Sequence, residues 1–156
     1  MFNITVELRK AFNGDAWHGN HIMQILNQVK PENAFKYFIT DGHSIAEITL
    51  HLTSWTEEVS ARLMDKIASE PAMGDWPTPQ NKTAQGWEKI IFDFKVANEE
   101  LIRVCDSIKG QDWHEWVKSE SSAALGKGMD KVELLNGLVQ HHAYHAGQIA
   151  LLTKFN

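Results

Sequence analysis

The stretch DKVELLNGLVQHHAYHAGQIALL, residues 130–152, decides how the chain folds. Asp130 followed three residues later by Glu133 is a box-like helix start, placed just after Gly128. Beyond it Leu134, Leu138, His141, His145 and Leu152 fall on one helical face. Histidines therefore stand in a core stripe, where unpaired imidazoles carry a desolvation penalty. Residues four apart on a helix hold their Cβ atoms roughly 5 to 6 Å from one another, so His141 and His145 can share one metal ion. From spacing alone the pair reads equally as two polar residues at a helix margin. The stripe is what speaks for the metal.

Working outward, HSIAEITLHLTSWTEEVSARL, residues 43–63, opens with a Ser44–Glu47 capping box and continues through Ile48, Leu52, Trp55, Val59 and Leu63 at intervals of three and four. This predicts a second helix from Ile45 to about Ala68. A first helix is expected from Asp15 to Val29 on Trp17, Ile22, Ile25, Leu26 and Val29, with a shorter amphipathic piece before Gly14 and a bend there. Pro31 stands about where that helix should stop. Thr83 can cap a third helix whose stripe is Trp87, Ile91, Phe94, Leu101, Cys105 and Ile108, ending before Gly110. No segment alternates cleanly as a strand would. Four long helices make an all-α bundle the expected architecture. The connections at 69–83 and 110–128 are long for a simple up-and-down bundle. Fifteen extended residues span roughly 50 Å, against roughly 37 Å for a 25-residue helix. The first connection can thus cross the whole bundle, leaving the second and third helices parallel.

A length of 156 residues fits a single domain, 1–156, that buries enough surface to fold without a metal staple. Any metal is then expected to be functional. Fifteen Lys+Arg against twenty Asp+Glu give a net charge of −5, which argues against nucleic acid and against an anionic membrane surface. One cysteine excludes an internal disulfide and suits the reducing cytoplasm. Glu7, Arg9 and Lys10 fall where a signal peptide needs its apolar run, and no apolar stretch has membrane-spanning length. Eight histidines against one cysteine remain the feature to explain.

His51 lies midway along the second helix and in a bundle could face His141 and His145, giving three neutral nitrogen ligands and an open fourth position. Such a site can lower the pKa of a bound water towards about 7. Gln148, three residues after His145, faces the same side and could orient a ligand imidazole; it reads equally as a packing amide. Tyr144 could hydrogen-bond near the site, and His18 could line the pocket, although a surface histidine fits the pattern as well. His142 offers a rival pairing with His145 but is offset roughly 100° from His141, so it is expected to be exposed or to stand behind the ligands. Glu58 is the nearest carboxylate that could act as a base, and exposure is its expected state. His43 and His114 read as structural or surface residues, and Cys105 as a buried inert thiol. Trp76, Trp113 and Trp116, in or near loops, read either as walls of a pocket or interface or as seals at the bundle ends.

The segments 43–63 and 137–152 closely resemble the two signature stretches of the DinB-like (YfiT-like) metal-binding family. The match runs through His51, Leu52 and Trp55, and through His141, Tyr144, His145, Gly147 and Gln148; Asp75-Trp76-Pro77 and Trp17-His18-Gly19 resemble a common subgroup. The resemblance implies a four-helix bundle of up-down-down-up topology with a divalent metal, zinc or nickel, held by His51, His141 and His145. Characterised relatives include thiol-dependent S-transferases and isomerases, and many members are described only as metal-dependent hydrolases. The expected function is accordingly metal-dependent hydrolysis or thiol S-transfer on a small electrophilic molecule, with a low-molecular-weight thiol as a conceivable cosubstrate and a homodimer as the family's suggestion. The alternative is a non-catalytic metal- or small-molecule-binding bundle.

Overall fold

The computed structural model describes residues 3–120 and 128–155. Among them the fold is all-helical: α1 (Ile4–Asn13), α2 (Ile22–Leu26), α3 (Pro31–Ala34), α4 (Ile45–Leu63), α5 (Ala84–Ser107) and α6 (Lys131–Leu152), with a 3₁₀ turn at Gly110–His114. Two isolated bridges, Ala16 with Gly19 and Trp116 with Asp130, are the β pairing the described residues contain.

The expected first helix is divided differently. Asn3 caps α1 by accepting from the N–H groups of Thr5 and Val6, and the helix stops at Gly14, whose backbone is extended. A loop follows in which Trp17, expected in the helical stripe, is 99% exposed. His21 then caps the short α2: its Nδ1 accepts from Gln24 N–H. Pro31 opens α3 at its first turn instead of ending a helix, the position where a missing N–H costs nothing and φ is already set.

The other three long helices begin where the caps place them. Both halves of the Ser44–Glu47 and Asp130–Glu133 boxes form, and the Thr83 hydroxyl accepts from Gly86 N–H at 3.2 Å. Gly86 is required there because a Cβ would meet the Asn81 carbonyl oxygen at 2.0 Å. α4 ends at Leu63, short of Ala68. Asp65 adopts a left-handed backbone (φ 69°), and the N–H groups of Asp65 and Lys66 return to the carbonyls of Arg62 and Ala61. This is a Schellman closure, and it satisfies the last carbonyls in place of another turn.

Two apolar clusters fill the interior. One joins Phe12, Ile22, Leu26, Ile45, Leu52, Trp87, Phe94, Ala146 and Ile149. The other joins Ile4, Leu8, Val59, Leu63, Leu101, Val104, Leu134 and Leu138. α4 packs against both α5 and α6, and its buried hydroxyls bond back along the helix. Thr49, Thr53 and Thr56 donate to the carbonyls of Ile45, Thr49 and Leu52 at 2.8, 2.9 and 2.7 Å. A polar helix can so occupy the centre without orphaned hydroxyls at these positions.

Candidate metal centre

His51 sits midway along α4, and His141 and His145 stand one turn apart on α6. The packing of α4 on α6 brings one ring nitrogen of each within 4.8 Å of the others. Nε2 of His51 and Nε2 of His141 are 2.9 Å apart. The three rings are steeply inclined to one another, at 72° to 80°, with centroids 4.6 to 4.9 Å apart. His51 and His145 are buried and His141 is half-buried.

Hydrogen bonds on the far side of two rings fix their tautomers. The Asp75 carbonyl lies 2.6 Å from His51 Nδ1, and a carbonyl can only accept, so Nδ1 carries the proton and Nε2 a bare lone pair. His145 Nδ1 donates likewise to Gln148 Oε1 at 2.6 Å. Burial, and then the neighbouring His145 and His51 charges, push His141 down to about 4, and burial also lowers His145. Both are neutral at neutral pH. Three convergent ring nitrogens, with the Nδ1 atoms of His51 and His145 already engaged on their far sides, are a donor set that fits a divalent cation of zinc or nickel type.

The Asp75–Trp76 corner completes the arrangement. Ser54 Oγ donates to the Gly74 carbonyl and Trp55 Nε1 to Asp75 Oδ1, both at 2.7 Å, so α4 itself anchors the loop that orients His51. Trp76 stacks on His51 at 3.9 Å and 8°, and on His43 at 3.6 Å and 3°. Beside the histidines opens a cavity of about 550 Å³ whose walls include Ile39, His43, Trp76, Tyr144, Gln148 and Leu151.

The other sequence candidates are distributed unevenly. Tyr144 lines the cavity and meets the His145 ring edge-on at 4.9 Å. His18 does not reach it: it is exposed and borders a separate cavity of about 360 Å³ with Asn20, Gln28, Ala143 and Gly147. Ala143 and Gly147 belong to another face of α6 than His141 and His145, which is the reason for the separation. His142 is not exposed but 1% accessible, packed against Phe94. Thr56 gives its hydroxyl proton to Leu52, so His142 Nε2–H donates to Thr56 Oγ1 at 3.0 Å and Nδ1 is left a bare lone pair without a partner among the described residues. Burial, with the charges of His141 and His145, pushes its pKa down to about 3.

Glu58 is likewise buried, 3% accessible, where exposure was expected. Arg62 Nε bonds its Oε1 at 2.9 Å, Lys66 pairs with Oε2, and Ser69 N–H donates at 3.1 Å, so it is no free base. Cys105 is buried and pushed up to about 12, first by burial and then by Asp106, which leaves an inert thiol. His43 and the Asp75 carbonyl escaped sequence reasoning as parts of the site. His43 precedes a cap and looked structural, and a backbone carbonyl has no side-chain signal; the Asp-Trp-Pro triplet was the available clue.

An all-helical fold centred on three inward-facing imidazoles defines a class of candidate metal-binding bundles. Within that class the chain belongs to the DinB family, whose model matches residues 1–154. Comparison with curated proteins and with solved structures returned no match.

Proposed function

We propose that the protein is a divalent-metal-dependent enzyme of hydrolase or thiol S-transferase type, acting on a small electrophilic substrate. His51, His141 and His145 would hold the metal, with zinc or nickel the ions the imidazoles suit. The observation that carries this reading is the pair of Nδ1 hydrogen bonds that aims two Nε2 lone pairs at the third imidazole. When bound, the ion supplies a Lewis acid at neutral pH. The chain's own residues do the rest. Asp75 and Gln148 hold the ligand rings in orientation and tautomer, and Trp76 shields His51 from water. Tyr144 and His43 border the space a substrate would occupy.

An up-down-down-up bundle is part of the same proposal, and the order in which each helix meets the two clusters supports it. α4 and α5 contribute to the first cluster with their starts and to the second with their ends; α1 and α6 do the reverse. The long 64–83 connection is what two parallel neighbours require. No described helix is long and apolar enough to cross a membrane. A cytoplasmic location, a small-molecule substrate and a homodimer belong to the proposal, with neither nucleic acid nor membrane as partner.

A second reading, a non-catalytic binder of metal or small molecules, is favoured by one observation. No carboxylate is among the described residues lining the cavity, and Glu58 is committed elsewhere. Turnover separates the two. The metal-loaded protein is assayed with activated esters, and with electrophiles supplied together with cellular thiols. Metal-dependent turnover that is lost in His145→Ala is expected; no turnover across the panel leaves the binder.

A further inference from the structure

We propose that the cavity beside the three imidazoles takes an uncharged, mostly apolar small molecule bearing an acceptor oxygen such as a carbonyl, and that anions find no place in it except at the metal. This rests on the functional reading of the same site and narrows its substrate class. The walls carry the argument. Ile39, Ile48, Leu151 and Leu152 are aliphatic and Trp76 and Tyr144 aromatic, and no lysine, arginine or carboxylate is among the described lining residues. Ile39 and Leu151 are exposed at its rim, an apolar border that solvent alone does not explain. The volume of about 550 Å³ lies in the range of small-molecule pockets.

Two of the lining or ligand histidines have a carboxylate behind them. Glu47 Oε2 stands 3.9 Å from His43 Nδ1 and is bonded by Tyr37 and Ser44, neither of them a cation. Asp75 Oδ1 stands 3.3 Å from His51 Nδ1 and accepts from Trp55. An anion entering without a metal would lose its hydration and find no cation among the described lining residues, with two carboxylates behind the His43 and His51 rings. The polar groups that remain suit a neutral acceptor. Gln148 spends Oε1 on His145, and its amide N–H groups have no protein partner among the described residues, so they are donors for a ligand oxygen.

A carboxylate-bearing or phosphate-bearing thiol is therefore disfavoured as cosubstrate, and hydrolysis of an uncharged ester or amide is favoured. In that reaction the acyl C–O or C–N bond breaks as a bond from water to the acyl carbon forms: the water's OH goes to the acyl carbon and its other proton to the departing alcohol or amine.

The test uses chelator-treated, metal-free protein and two probes of matched shape, benzamide and benzoate, titrated by ligand-observed NMR. Benzamide is expected to bind about tenfold or more tightly than benzoate. Leu151→Asp, at an exposed rim position, is expected to weaken benzamide about tenfold while the metal content of the loaded protein is unchanged. Benzoate binding as well as benzamide, neither probe binding, or benzamide indifferent to Leu151→Asp would each overturn the proposal. Because the titration needs no metal, its failure is separate from failure of the three-histidine reading, which shows in the metal content of the unaltered protein.

Discussion

Nδ1 of His51 and of His145 decides what these residues can do, because each is spent on an oxygen 2.6 Å away. Removing that oxygen should therefore weaken metal binding without removing a ligand. Gln148→Leu deletes the acceptor for His145 and is expected to lower metal affinity by about 10- to 100-fold, measured by competition with a chromophoric chelator. Gln148→Glu retains an acceptor and is expected to stay closer to the unaltered protein. Equal affinities in all three proteins would show that ring orientation is set by packing alone. At this scale the sequence was most legible where the helical period acts: the i, i+4 spacing pairs His141 with His145, and burial at position 145 follows the stripe. It was least legible where neighbouring positions exchange faces. His142, one residue along, is the fully buried imidazole, since it turns into the interior, where it meets Thr56 of α4 and Phe94 of α5.

Caps and stops govern the elements. Thr83 begins α5, and Thr83→Ala is expected to cost about 1 kcal/mol in denaturant unfolding. The Glu58–Arg62 pair closes the other end of the connection between α4 and α5. Both side chains are buried, and Arg62 Nη2 also holds the Ser69 carbonyl at 2.7 Å. Glu58→Ala leaves an uncompensated guanidinium and is expected to cost about 3 kcal/mol or more. Burial alone would raise the Glu58 pKa, but the bonds from Lys66, Arg62 and Ser69 outweigh it and the net direction is down. A carboxyl depressed in the folded state contributes stability that is present above its unfolded pKa of about 4.3 and fades as pH falls through its lower folded value. Unfolding free energy followed below about pH 4 should thus fall more steeply in the unaltered protein than in Glu58→Gln. The capping boxes were readable because their donors and acceptors lie three residues apart in sequence. The Schellman stop at Asp65 and the role of Glu58 were not, since both depend on what residues 66–69 do after the helix ends.

Over the whole molecule, the connection after α4 places the site. The segment after α4 returns to lay Asp75 and Trp76 against His51, so the connection between α4 and α5 also supplies an orienting carbonyl and an aromatic cover. Two apolar clusters hold the helices together without any metal, and a metal-free protein is expected to fold. Metal should then add stability by mass action, about 2.7 kcal/mol at a hundredfold excess over Kd, which is a rise in Tm of roughly 5 to 10 °C. Thermal unfolding of chelated and loaded protein checks this, and unfolding of the chelated chain at all temperatures would contradict it. The central claim is that one divalent ion is held by imidazoles contributed from both α4 and α6. Metal content of protein purified without added metal, compared with His51→Ala and His145→Ala, tests it most directly. About one ion per chain in the unaltered protein, with loss in both variants, is the predicted result; unchanged stoichiometry in the two variants would contradict it.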